Sequence, residues 1–499
     1  MKAVDPLGRH DDWSGVRATV AGFGVSGFAA ADNLTHLGAS VVALDESAEG
    51  REKQEKAELL RILGADVRLG EGTTSRLPDD SDLLVVSPGW KPSAPLVAQA
   101  RERGVPVWGE VELAWRLRDA GPDGRPAPWL AVTGTNGKTT TVQMLDAILQ
   151  AAGLRSVAAG NVGLPLVEAV MDPAPYDVFA VELSSFQLHY TDSMSAEAAA
   201  VLNVAEDHLD WYADAEPSGP TGGMAAYAAD KGRIYQRVQT ACVYNAADPE
   251  TERLVREAEV EPGARAIGFT LGMPGVGMVG VVDGILVDRA FIAERQSSAA
   301  ELCTVDDLAS PAPHVVANAL AAAALARAHG VPQAAVRDGL RGFRFDGHRI
   351  AVVATVDDVT YVDDSKATNP HAARSSLLAY DPVVWVAGGL AKGAHFDDLV
   401  VATRDRLRGA VLLGRDRDLI AQALARHAPD VPVITVGADE TGSGHAAMER
   451  AVVAAADLAH PGDTVLLAPG CASMDMFTDY ADRGDAFAAA VRRLTERPG

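Results

Sequence analysis

Short apolar runs alternate with longer helix-like segments through the first hundred residues of the chain. The runs Arg17–Ala21, Ser40–Leu44 and Asp82–Val86 have the length and aliphatic content of buried strands, and the segment that ends near Leu37 has those of a helix. Strands that alternate with helices favour a parallel sheet with right-handed crossover connections. The pattern therefore predicts an N-terminal α/β domain.

A second region with the same alternation follows a stretch rich in proline and glycine. We interpret Asp119–Pro128 as a linker, because such residues interrupt helices and strands, and Trp129–Thr133 directly after it as a new strand. The segment Val276–Val287 alternates glycine with aliphatic residues, which predicts short antiparallel strands. The alanine-rich run Val315–Ala326 predicts a buried helix, and Glu216–Gly223 predicts a surface loop.

Further apolar runs in the last third of the chain predict another doubly wound sheet. They are Val352–Val362, Val383–Ala387, Ala410–Leu413, Val433–Val436 and Thr464–Ala468. The pattern divides the chain into three predicted α/β domains, which comprise residues 1–125, residues 126–346 with a mostly parallel sheet, and residues 347–499. A prior of about 150 residues per domain agrees with this division.

The overall composition argues against several classes of protein. Acidic residues outnumber basic ones by 68 to 44, and the net charge of -24 repels nucleic acids and anionic membranes. The three cysteines form no CxxC motif, so we expect no zinc site and no disulfide framework, and we predict a cytoplasmic protein. The chain has no signal-peptide pattern and no apolar run of about 18 residues, so we expect no membrane segment.

A glycine-rich turn follows the first predicted strand and opens a helix. It contains Gly22, Gly24, Val25, Ser26 and Gly27. Asp45, at the end of the next strand, completes the pattern of a dinucleotide-binding fold. Three interpretations are open: an NAD or FAD site, a site for another nucleotide diphosphate, and a tight turn that binds nothing. The first two use the same physics, because both place a pyrophosphate against N–H groups at a helix N-terminus.

A phosphate-binding loop follows the predicted strand Trp129–Thr133. It consists of Gly134, Thr135, Asn136, Gly137, Lys138, Thr139 and Thr140. Small residues let backbone N–H groups face phosphate oxygens, Lys138 supplies a charge to the β- and γ-phosphates, and the Thr139 hydroxyl can bind Mg²⁺. The eight-residue pattern has glycine where this chain has Val132, so the loop is a shorter variant. These residues predict binding of ATP and magnesium.

Three further polar residues are candidates for the same chemistry, and each has a simpler alternative. Glu182 ends the apolar run Val178–Val181, where its carboxylate can hold Mg²⁺ or pair with a buried base. His208 follows another apolar run and can bind a metal, orient a substrate or serve a structural purpose only. By its sequence context alone, Lys231 is an ordinary helix lysine.

Three polar loops follow predicted strands in the last domain. Asp364, Lys366 and Thr368 belong to the first loop, Lys392 to the second and Ser473 to the third. Ligands of open α/β sheets bind at the carboxyl ends of the strands, so these loops are candidates for a binding site. The alternative for each loop is a simple turn.

Several of these motifs occur together in one known family. They are Thr133–Thr140, Gly160–Pro165, Glu182–Leu188, Asp207–His208, Asp364–Asn369 and Cys471–Ser473. Together they resemble the Mur ligases, the ATP-dependent amide-forming enzymes of peptidoglycan synthesis, over nearly the whole chain from Gly22 to Gly484. The run Glu182–Leu188 is similar to that of the family members that add D-glutamate.

The resemblance implies an acid–D-amino-acid ligase. Such an enzyme joins D-glutamate to UDP-N-acetylmuramoyl-L-alanine through an acyl phosphate and releases ADP and phosphate. The implied fold is Rossmann-like in the first and last domains and like a P-loop ATPase in the central domain. Two Mg²⁺ ions, a monomer and closure of the domains over ATP are implied as well.

The resemblance also assigns roles to individual residues. Those implied to bind the UDP-linked substrate are Gly22, Gly24, Val25, Ser26, Gly27, Asp45, Gly89, Asn161 and Ser184. Those implied to contact the nucleotide, besides the phosphate-binding loop, are Asn318, Arg349 and Asp364. Those implied to bind D-glutamate are Lys366, Thr368, Lys392, Ser473 and Tyr480, with two lysines to balance two carboxylates.

For Lys231 the resemblance changes the interpretation, because family members carry this lysine as a carbamate. A free lysine is neutral in only about one molecule in 2,500 at pH 7, so burial near magnesium must favour the anionic carbamate. The implied catalytic residues are Lys138, Glu182, His208 and carbamylated Lys231. The implied metal ligands are Thr139, Glu182, His208 and Lys231.

Two departures from the family pattern concern substrate contacts. Glu46 and Ser47 follow Asp45, where the family is expected to have threonine and arginine. Tyr480 stands at a position where family members carry phenylalanine. The contacts to uracil and to D-glutamate are the ones that these changes affect.

Other functions remain open from the sequence. A nicotinamide oxidoreductase would use Gly22–Gly27 but would leave the phosphate-binding loop unexplained. A nucleotide-dependent switch would use that loop without forming a bond between two substrates. Among ligases, the siblings that add meso-diaminopimelate or lysine and folylpolyglutamate synthase are the nearest alternatives.

Overall fold

The computed structural model describes residues 2–121, 124–213, 220–345, 347–437 and 444–495. Within this part, the chain forms two compact units, and three β-sheets provide their frameworks. The first unit consists of Met1–Val204, Trp211–Leu308 and Val316–Phe343. The second unit consists of Ala205–Asp210, Ala309–Val315 and Arg344–Gly499.

The first sheet is entirely parallel and has the strand order β3-β2-β1-β4-β5. Its strands are β1 (Arg17–Ala21), β2 (Ser40–Asp45), β3 (Asp66–Leu69), β4 (Leu83–Val86) and β5 (Val107–Gly109). Its helices are α1 (Val25–His36), α2 (Arg51–Ile62), α3 (Pro95–Glu102) and α4 (Glu110–Arg116). The apolar runs become the central strands β1 and β4 because both faces of a parallel sheet are covered. This order confirms the Rossmann-like prediction.

The second sheet has nine strands in the order β14-β13-β12-β11-β10-β9-β6-β8-β7. Its strands are β6 (Trp129–Thr133), β7 (Ser156–Gly160), β8 (Val178–Glu182), β9 (Ala198–Val201), β10 (Ala241–Asn245), β11 (Arg265–Phe269), β12 (Met278–Val282), β13 (Ile285–Asp288) and β14 (Ala300–Thr304). The pairs β12–β13 and β13–β14 are antiparallel and the other pairs are parallel, which confirms the mostly parallel sheet and the short antiparallel strands predicted near its edge.

The helices around the second sheet are α5 (Lys138–Ala151), α6 (Leu166–Met171), α7 (Ser185–His189), α8 (Pro220–Gly232), α9 (Pro249–Arg256), α10 (Pro313–Ala328) and α11 (Gln333–Gly342). Residues 319–326 of α10 are completely buried, which confirms the predicted buried helix. The predicted surface loop Glu216–Gly223 is wrong from Pro220 onward, because Pro220 begins α8 and proline is well tolerated in the first turn of a helix. Residues 216–219 lie outside the described part of the chain.

The third sheet belongs to the second unit and has the order β15-β16-β20-β17-β18-β19. Its strands are β15 (Ala351–Val356), β16 (Val359–Asp363), β17 (Val383–Ala387), β18 (Leu407–Leu412), β19 (Val433–Thr435) and β20 (Thr464–Leu467). Its helices are α12 (Pro370–Leu377), α13 (Asp397–Thr403), α14 (Arg417–His427), α15 (Gly444–Leu458) and α16 (Tyr480–Thr495). All pairs except β15–β16 are parallel, as expected for the predicted doubly wound domain.

The apolar run Val352–Val362 forms two strands rather than one. Asp357 and Asp358 both have positive φ, 49° and 62°, and turn the chain into a two-residue hairpin. Aspartate tolerates this left-handed conformation better than most residues, and such turns match the twist of paired strands. This apolar run, predicted to be strand-like, therefore supplies two neighbouring strands of the sheet.

The first and second sheets share one hydrophobic core and direct polar contacts within the first unit. Glu112 of α4 is buried and accepts hydrogen bonds from the backbone N–H groups of Asp192 and Ser193 at 2.8 and 2.9 Å. The three α/β domains are those expected, while their exact boundaries after residues 125 and 346 stay predictions. No helix in the described ranges has the length and apolar character to cross a bilayer.

Candidate active site

The loop between β6 and α5 is the predicted phosphate-binding loop. Gly137 has φ 87°, and a Cβ at this position would lie 2.4 Å from Oδ1 of Asn318. A Cβ at Gly134, which has φ 155°, would lie 3.0 Å from Cβ of Leu202. Both positions therefore require glycine, and Asn318, predicted to contact the nucleotide, lies against the loop.

The short form of the loop follows from the length of β6. Val132, at the position where longer loops have glycine, still belongs to the strand and pairs in register with Glu182 of β8. The loop can therefore begin only after Thr133. The same register places Glu182, at the end of β8, opposite the strand residue Val132 that precedes the loop by two positions.

Lys138 begins α5 and folds back over the loop that precedes it. Its Nζ donates hydrogen bonds to the carbonyl oxygens of Gly134 and Thr135, both at 2.9 Å. Thr139, the predicted magnesium ligand, is the next residue of the helix and is half-buried. The ammonium group and the hydroxyl therefore both lie at the N-terminus of α5, where a triphosphate would be held.

Asn203 is the second residue after β9, and its hydrogen bonds fix the shape of the loop. Its Oδ1 accepts a hydrogen bond from the backbone N–H of Asn136 at 2.9 Å, and its Nδ2 donates to the backbone carbonyl of Asn136 at 3.0 Å. Its own carbonyl accepts from the N–H of Thr135 at 3.0 Å. Sequence reasoning gave Asn203 no role, and its position after a strand beside the loop was the signal available.

Lys231 lies on α8 and is only 2% exposed. Its Nζ donates to the carbonyl of Gly134 at 3.0 Å and lies 4.4 Å from the centre of the Tyr227 ring. The hydroxyl of Tyr227 is in turn 3.0 Å from Oγ1 of Thr135. An ordinary lysine on a helix surface keeps its ammonium in water, so these contacts set Lys231 apart and join α8 to the phosphate-binding loop.

Glu182 and Asn161 form one polar pair at the ends of β8 and β7. Nδ2 of Asn161 donates to Oε1 of Glu182 at 2.9 Å, and its backbone N–H donates to the carbonyl of Glu182 at 2.9 Å. A Cβ at Gly160 would lie 2.2 Å from that carbonyl oxygen, so the turn before Asn161 needs glycine. A predicted metal ligand and a predicted substrate contact are thus in direct contact.

Ser184 begins α7 with a capping box. Its Oγ accepts from the backbone N–H of Gln187 at 3.2 Å, and its own N–H donates to Oε1 of Gln187 at 2.9 Å. The hydroxyl therefore has a structural partner, and the contact to the UDP-linked substrate expected of Ser184 stays a prediction.

A metal site at this loop would need few protein ligands. The described residues contain no group of three or more His, Cys, Asp or Glu side chains placed to hold an ion. Magnesium beside a nucleotide keeps several waters and is held by one or two protein oxygens together with the phosphates. The Thr139 hydroxyl and the buried Glu182 carboxylate are oxygen ligands of the kind that magnesium prefers, so these residues fit the ion.

The glycine-rich turn after β1 borders a cavity of about 690 Å³ in the first unit. The cavity is lined by predicted residues, which are Gly22, Gly24, Val25, Ser26, Asp45 and Gly89. A Cβ at Gly27 would lie 1.9 Å from the carbonyl oxygen of Gly22, whereas a Cβ at Gly24 would meet no atom within 4 Å. Gly27 is therefore required by packing, and Gly24 leaves the backbone accessible to a ligand.

Asp45 holds the glycine-rich turn in place. One of its oxygens accepts from the backbone N–H of Phe23 at 2.7 Å, and the other from the N–H of Ser47 and from Nζ of Lys53. Burial raises the pKa of Asp45, but these hydrogen bonds and the Lys53 charge outweigh burial and lower it overall. Asp45 is therefore charged. It lines the cavity, and its carboxylate is bonded to backbone N–H groups of the protein.

Trp90 and Lys91 also line this cavity and were missed by sequence reasoning. The hydroxyl of Tyr190 donates to the carbonyl of Trp90 at 2.8 Å, and Nε1 of Trp211 donates to the carbonyl of Gly89 at 3.3 Å. Aromatic residues of the central domain thus hold the turn that the resemblance assigned to the UDP-linked substrate. A lysine directly after that turn was the available signal for an anionic ligand.

The second unit has its own cavity of about 480 Å³. Three predicted residues line it, namely His208, Thr368 and Lys392, together with the basic side chains of His371, Arg374 and His395. His208 has φ 53°, and its Nε2 lies 3.7 Å from Oδ1 of Asp207, whose other oxygen accepts from Asn369 at 3.3 Å. His208 lies in the segment after β9 rather than at the strand end itself. The lining therefore combines these basic groups with the carboxylates of Glu206, Asp207 and Asp398.

Lys366, Ser473 and Tyr480 are not among the residues that line this cavity. Nζ of Lys366 lies 3.7 Å from the centre of the Tyr480 ring, a cation–π contact that any aromatic residue at this position would allow. Ser473 is buried in the loop after β20. The structure therefore joins two of these three residues directly and leaves the role of each in D-glutamate binding a prediction.

Asp364, predicted to contact the nucleotide, is buried at the end of β16. Its carboxylate accepts hydrogen bonds from the Ser376 hydroxyl and from the backbone N–H of Ile350. Burial raises its pKa to about 6, against the hydrogen bond from Ser376 and the positive charge of Arg349, both of which lower it. Arg349 and Asp364 therefore act on each other electrostatically within the second unit, and both were assigned to the nucleotide.

Three family models match successive parts of the chain. The model of the Mur ligase MurD-like N-terminal domain matches residues 16–109, that of the Mur ligase middle domain matches residues 132–326, and that of the Mur ligase glutamate ligase domain matches residues 348–471. The three matches follow the order of the three sheets.

Relatives resemble the chain over its length. The UDP-N-acetylmuramoylalanine–D-glutamate ligase of Streptomyces coelicolor is 61% identical over 484 residues, which cover 97% of this chain and 99% of that protein. A protein of the same name from Thermobifida fusca is 53% identical and covers 96% of this chain and 99% of its own length. The solved structure of UDP-N-acetylmuramate–alanine ligase MurC from Thermotoga maritima has the same fold, with a TM-score of 0.55, 18% identity and coverage of 97% and 100%.

Proposed function

The chain belongs to the Mur ligase family, and on that premise we propose that it joins D-glutamate to UDP-N-acetylmuramoyl-L-alanine in an ATP-dependent step of peptidoglycan precursor synthesis. The products are the extended UDP-linked peptide precursor, ADP and phosphate. The observation that carries the proposal is the phosphate-binding loop whose Gly134 carbonyl accepts hydrogen bonds from both Lys138 and the buried Lys231. A dinucleotide site alone has no use for such a loop.

The reaction begins with the transfer of the γ-phosphoryl group of ATP to the alanyl carboxylate of the UDP-linked substrate. Lys138 and the backbone N–H groups of the loop neutralise charge on the transferring group. The amine of D-glutamate then attacks the acyl phosphate, and phosphate leaves as the amide forms. Because the acyl phosphate would hydrolyse in water, the residues around it must hold the amine close to the activated carbonyl.

Magnesium at this loop supplies charge neutralisation of the phosphates when it is bound. Thr139 and Glu182 are the residues of the first unit that we propose hold it, together with Lys231 as a carbamate at a second ion. The burial of Lys231 and the nearby ammonium of Lys138 both disfavour a second positive charge, which supports the carbamate. A carbamate nitrogen keeps one hydrogen, so its bond to the Gly134 carbonyl can persist.

We assign the remaining residues by unit. In the first unit, the cavity lined by Gly22, Asp45 and Gly89 binds the UDP group. Asn161 and Ser184 contact the UDP-linked substrate, and Asn318 contacts the nucleotide. In the second unit, Arg349 and Asp364 contact the nucleotide and His208 contributes to the metal. Lys366, Thr368, Lys392, Ser473 and Tyr480 bind D-glutamate. Lys392 and Arg374, two cations in the lining of the 480 Å³ cavity, support an acidic amino acid as the second substrate.

We further propose that the enzyme acts as a monomer in the cytoplasm. Its three cysteines, Cys242, Cys303 and Cys471, are free and buried, as suits a reducing compartment. Sedimentation velocity of the purified chain tests the monomer, because a dimer would sediment as a faster species at micromolar concentration.

The chemistry is tested by oxygen isotope transfer. The alanyl carboxylate of the UDP-linked substrate is labelled with ¹⁸O, and the phosphate released in the presence of ATP and D-glutamate is analysed by mass spectrometry. We expect one labelled oxygen in each phosphate, because the carboxylate oxygen leaves with the phosphoryl group. Phosphate without label would overturn the acyl phosphate.

Mixing the protein with NADH tests the oxidoreductase alternative, and an NADH fluorescence change on binding would favour it.

A further inference from the structure

Arg483 is a buried arginine in the second unit to which the mechanism above gives no role. It lies in the first turn of α16 and is 1% exposed. Burying a guanidinium is costly unless its N–H groups find acceptors and its charge serves a purpose. The surroundings of Arg483 therefore call for an explanation.

The guanidinium of Arg483 donates to three separate loops. Its Nε and Nη2 donate to Oγ and the carbonyl of Ser365 at 3.0 and 2.9 Å. Its Nη1 donates to the carbonyls of Cys471 at 3.0 Å and Gly388 at 3.4 Å. These loops follow β16, β20 and β17, which are neighbours in the sheet. One side chain thus ties together three adjacent strand ends.

Each of the three loops carries residues proposed to bind D-glutamate. Ser365 precedes Lys366, Gly388 opens the loop that contains Lys392, and Cys471 lies two residues before Ser473. The second and third loops are also in close backbone contact, since a Cβ at Gly389 would lie 2.2 Å from the carbonyl oxygen of Ala472. A shift of any loop would therefore disturb the others.

Among the described residues, no carboxylate accepts a hydrogen bond from Arg483. All four acceptors are neutral, three of them carbonyl oxygens and one a hydroxyl. Asp363, Asp475 and Cys471 are the titratable groups that face it closely enough to act on its pKa, and burial still lowers that pKa to about 10. The guanidinium remains charged at neutral pH. Two of the loops that it bonds to contain a lysine, Lys366 and Lys392.

We propose that Arg483 is a positioning residue for the amino acid substrate. It holds the three loops in register, so that Lys366, Lys392 and Ser473 keep the places from which they bind D-glutamate. This inference rests on the proposed function, because it assumes that these loops bind D-glutamate. Arg483 itself contacts loop atoms rather than the reacting groups.

The test is a steady-state comparison of the full-length wild type with Arg483→Met and Arg483→Lys. We expect the methionine variant to raise KM for D-glutamate at least tenfold while KM for ATP and for UDP-N-acetylmuramoyl-L-alanine changes less than twofold. The lysine variant keeps the charge and should fall between the two. Arg492→Met, on the exposed face of the same helix, is the matched control and should behave as the wild type.

The outcomes separate the inference from the proposed function. If the wild type releases no phosphate with D-glutamate, the proposed function fails. If the wild type is active and a folded Arg483→Met variant keeps its KM for D-glutamate, the inference fails alone. Should the methionine variant not fold, Ser365→Ala removes one acceptor and is expected to raise KM for D-glutamate about threefold; an unchanged KM there would overturn the proposal.

Discussion

The ammonium groups of Lys138 and Lys231 share one acceptor, the carbonyl oxygen of Gly134, at 2.9 and 3.0 Å. Lys138 belongs to the phosphate-binding loop, whereas Lys231 reaches the same carbonyl from a helix that begins far later in the sequence. Two like charges at one oxygen repel each other unless a ligand or a chemical change separates them. A triphosphate at the loop would draw Lys138 away, and a carbamate on Lys231 would remove its positive charge.

Lys138→Ala is expected to abolish ligation. The substitution removes the charge that stabilises the transferring phosphoryl group, and loss of one such contact typically costs about 10²- to 10³-fold in kcat. Phosphate release at saturating substrates measures the effect. Lys56→Ala, which removes a lysine paired with Glu52 on helix α2, is the control and should retain full activity. Turnover of the Lys138 variant near that of the control would exclude the loop as the ATP site.

Lys231→Ala is expected to lose most activity and to regain part of it with added acetate or formate. A small carboxylate can occupy the space of the carbamate, whereas it cannot replace an ammonium group. A direct readout is a ¹³C NMR signal of a carbamate after equilibration of the wild type with ¹³C-bicarbonate. Absence of that signal, together with no rescue of the variant, would contradict the carbamate.

Asn203→Ala is expected to weaken ATP binding without unfolding the protein. The change removes two hydrogen bonds that hold Asn136 in the phosphate-binding loop, each worth about 1 kcal/mol, so KM for ATP should rise roughly 30-fold. Asn203→Asp keeps the acceptor but sets a carboxylate against the Asn136 carbonyl and beside the phosphates of ATP, so its KM for ATP should rise at least as much. An unchanged KM for ATP in Asn203→Ala would mean that the loop keeps its shape without this side chain.

Glu110→Gln is expected to stabilise the protein above pH 7. Burial raises the pKa of Glu110 from 4.5 to about 7, so the folded state binds a proton more tightly than the unfolded state. Stability from this group is complete below pH 4.5 and is lost as the pH rises through 7, on the order of 3 kcal/mol. Urea unfolding at pH 5 and pH 8 should show the variant gaining over the wild type only at the higher pH.

Glu112→Gln, on the same helix, is expected to change the stability of the protein in the opposite direction. Burial raises the pKa of Glu112, but hydrogen bonds from Ser193, Asp192 and Arg116 outweigh it and lower the pKa overall. Its contribution to stability is present above pH 4.5 and is lost in acid. The glutamine variant should therefore be less stable than the wild type at pH 8, and two variants that shift in the same direction would contradict this account.

The sequence predicts the parts of the fold that short-range patterns determine. The spacing of Gly22, Gly24 and Gly27 and the alternation of strands and helices predict the first sheet, because the turn and its crossover are built from consecutive residues. The loop Gly134–Thr139 is recognisable for the same reason. The hairpin at Asp357 was missed because β-branched and other strand-favouring residues on both sides of the two aspartates resemble one long strand.

The contacts that complete the site depend on residues that are distant in sequence. Asn203 bonds to a residue 67 positions away, and Arg483 to one 118 positions away. Both side chains bond mainly to backbone atoms. Because every residue type has a backbone carbonyl, the sequence does not reveal which residue is the partner. The residues next to Lys231 in the sequence are those of an ordinary helix lysine. Its burial against Gly134 is the structural feature that distinguishes it from such a lysine.

The most direct test of the proposed function is a single phosphate-release assay with a panel of amino acids. The chain is incubated with ATP, magnesium and UDP-N-acetylmuramoyl-L-alanine, and with D-glutamate, L-glutamate, meso-diaminopimelate or L-lysine. We predict rapid release with D-glutamate only, and none when the UDP-linked substrate is omitted. Release that is faster with diaminopimelate or lysine, or that needs no amino acid, would contradict the assignment.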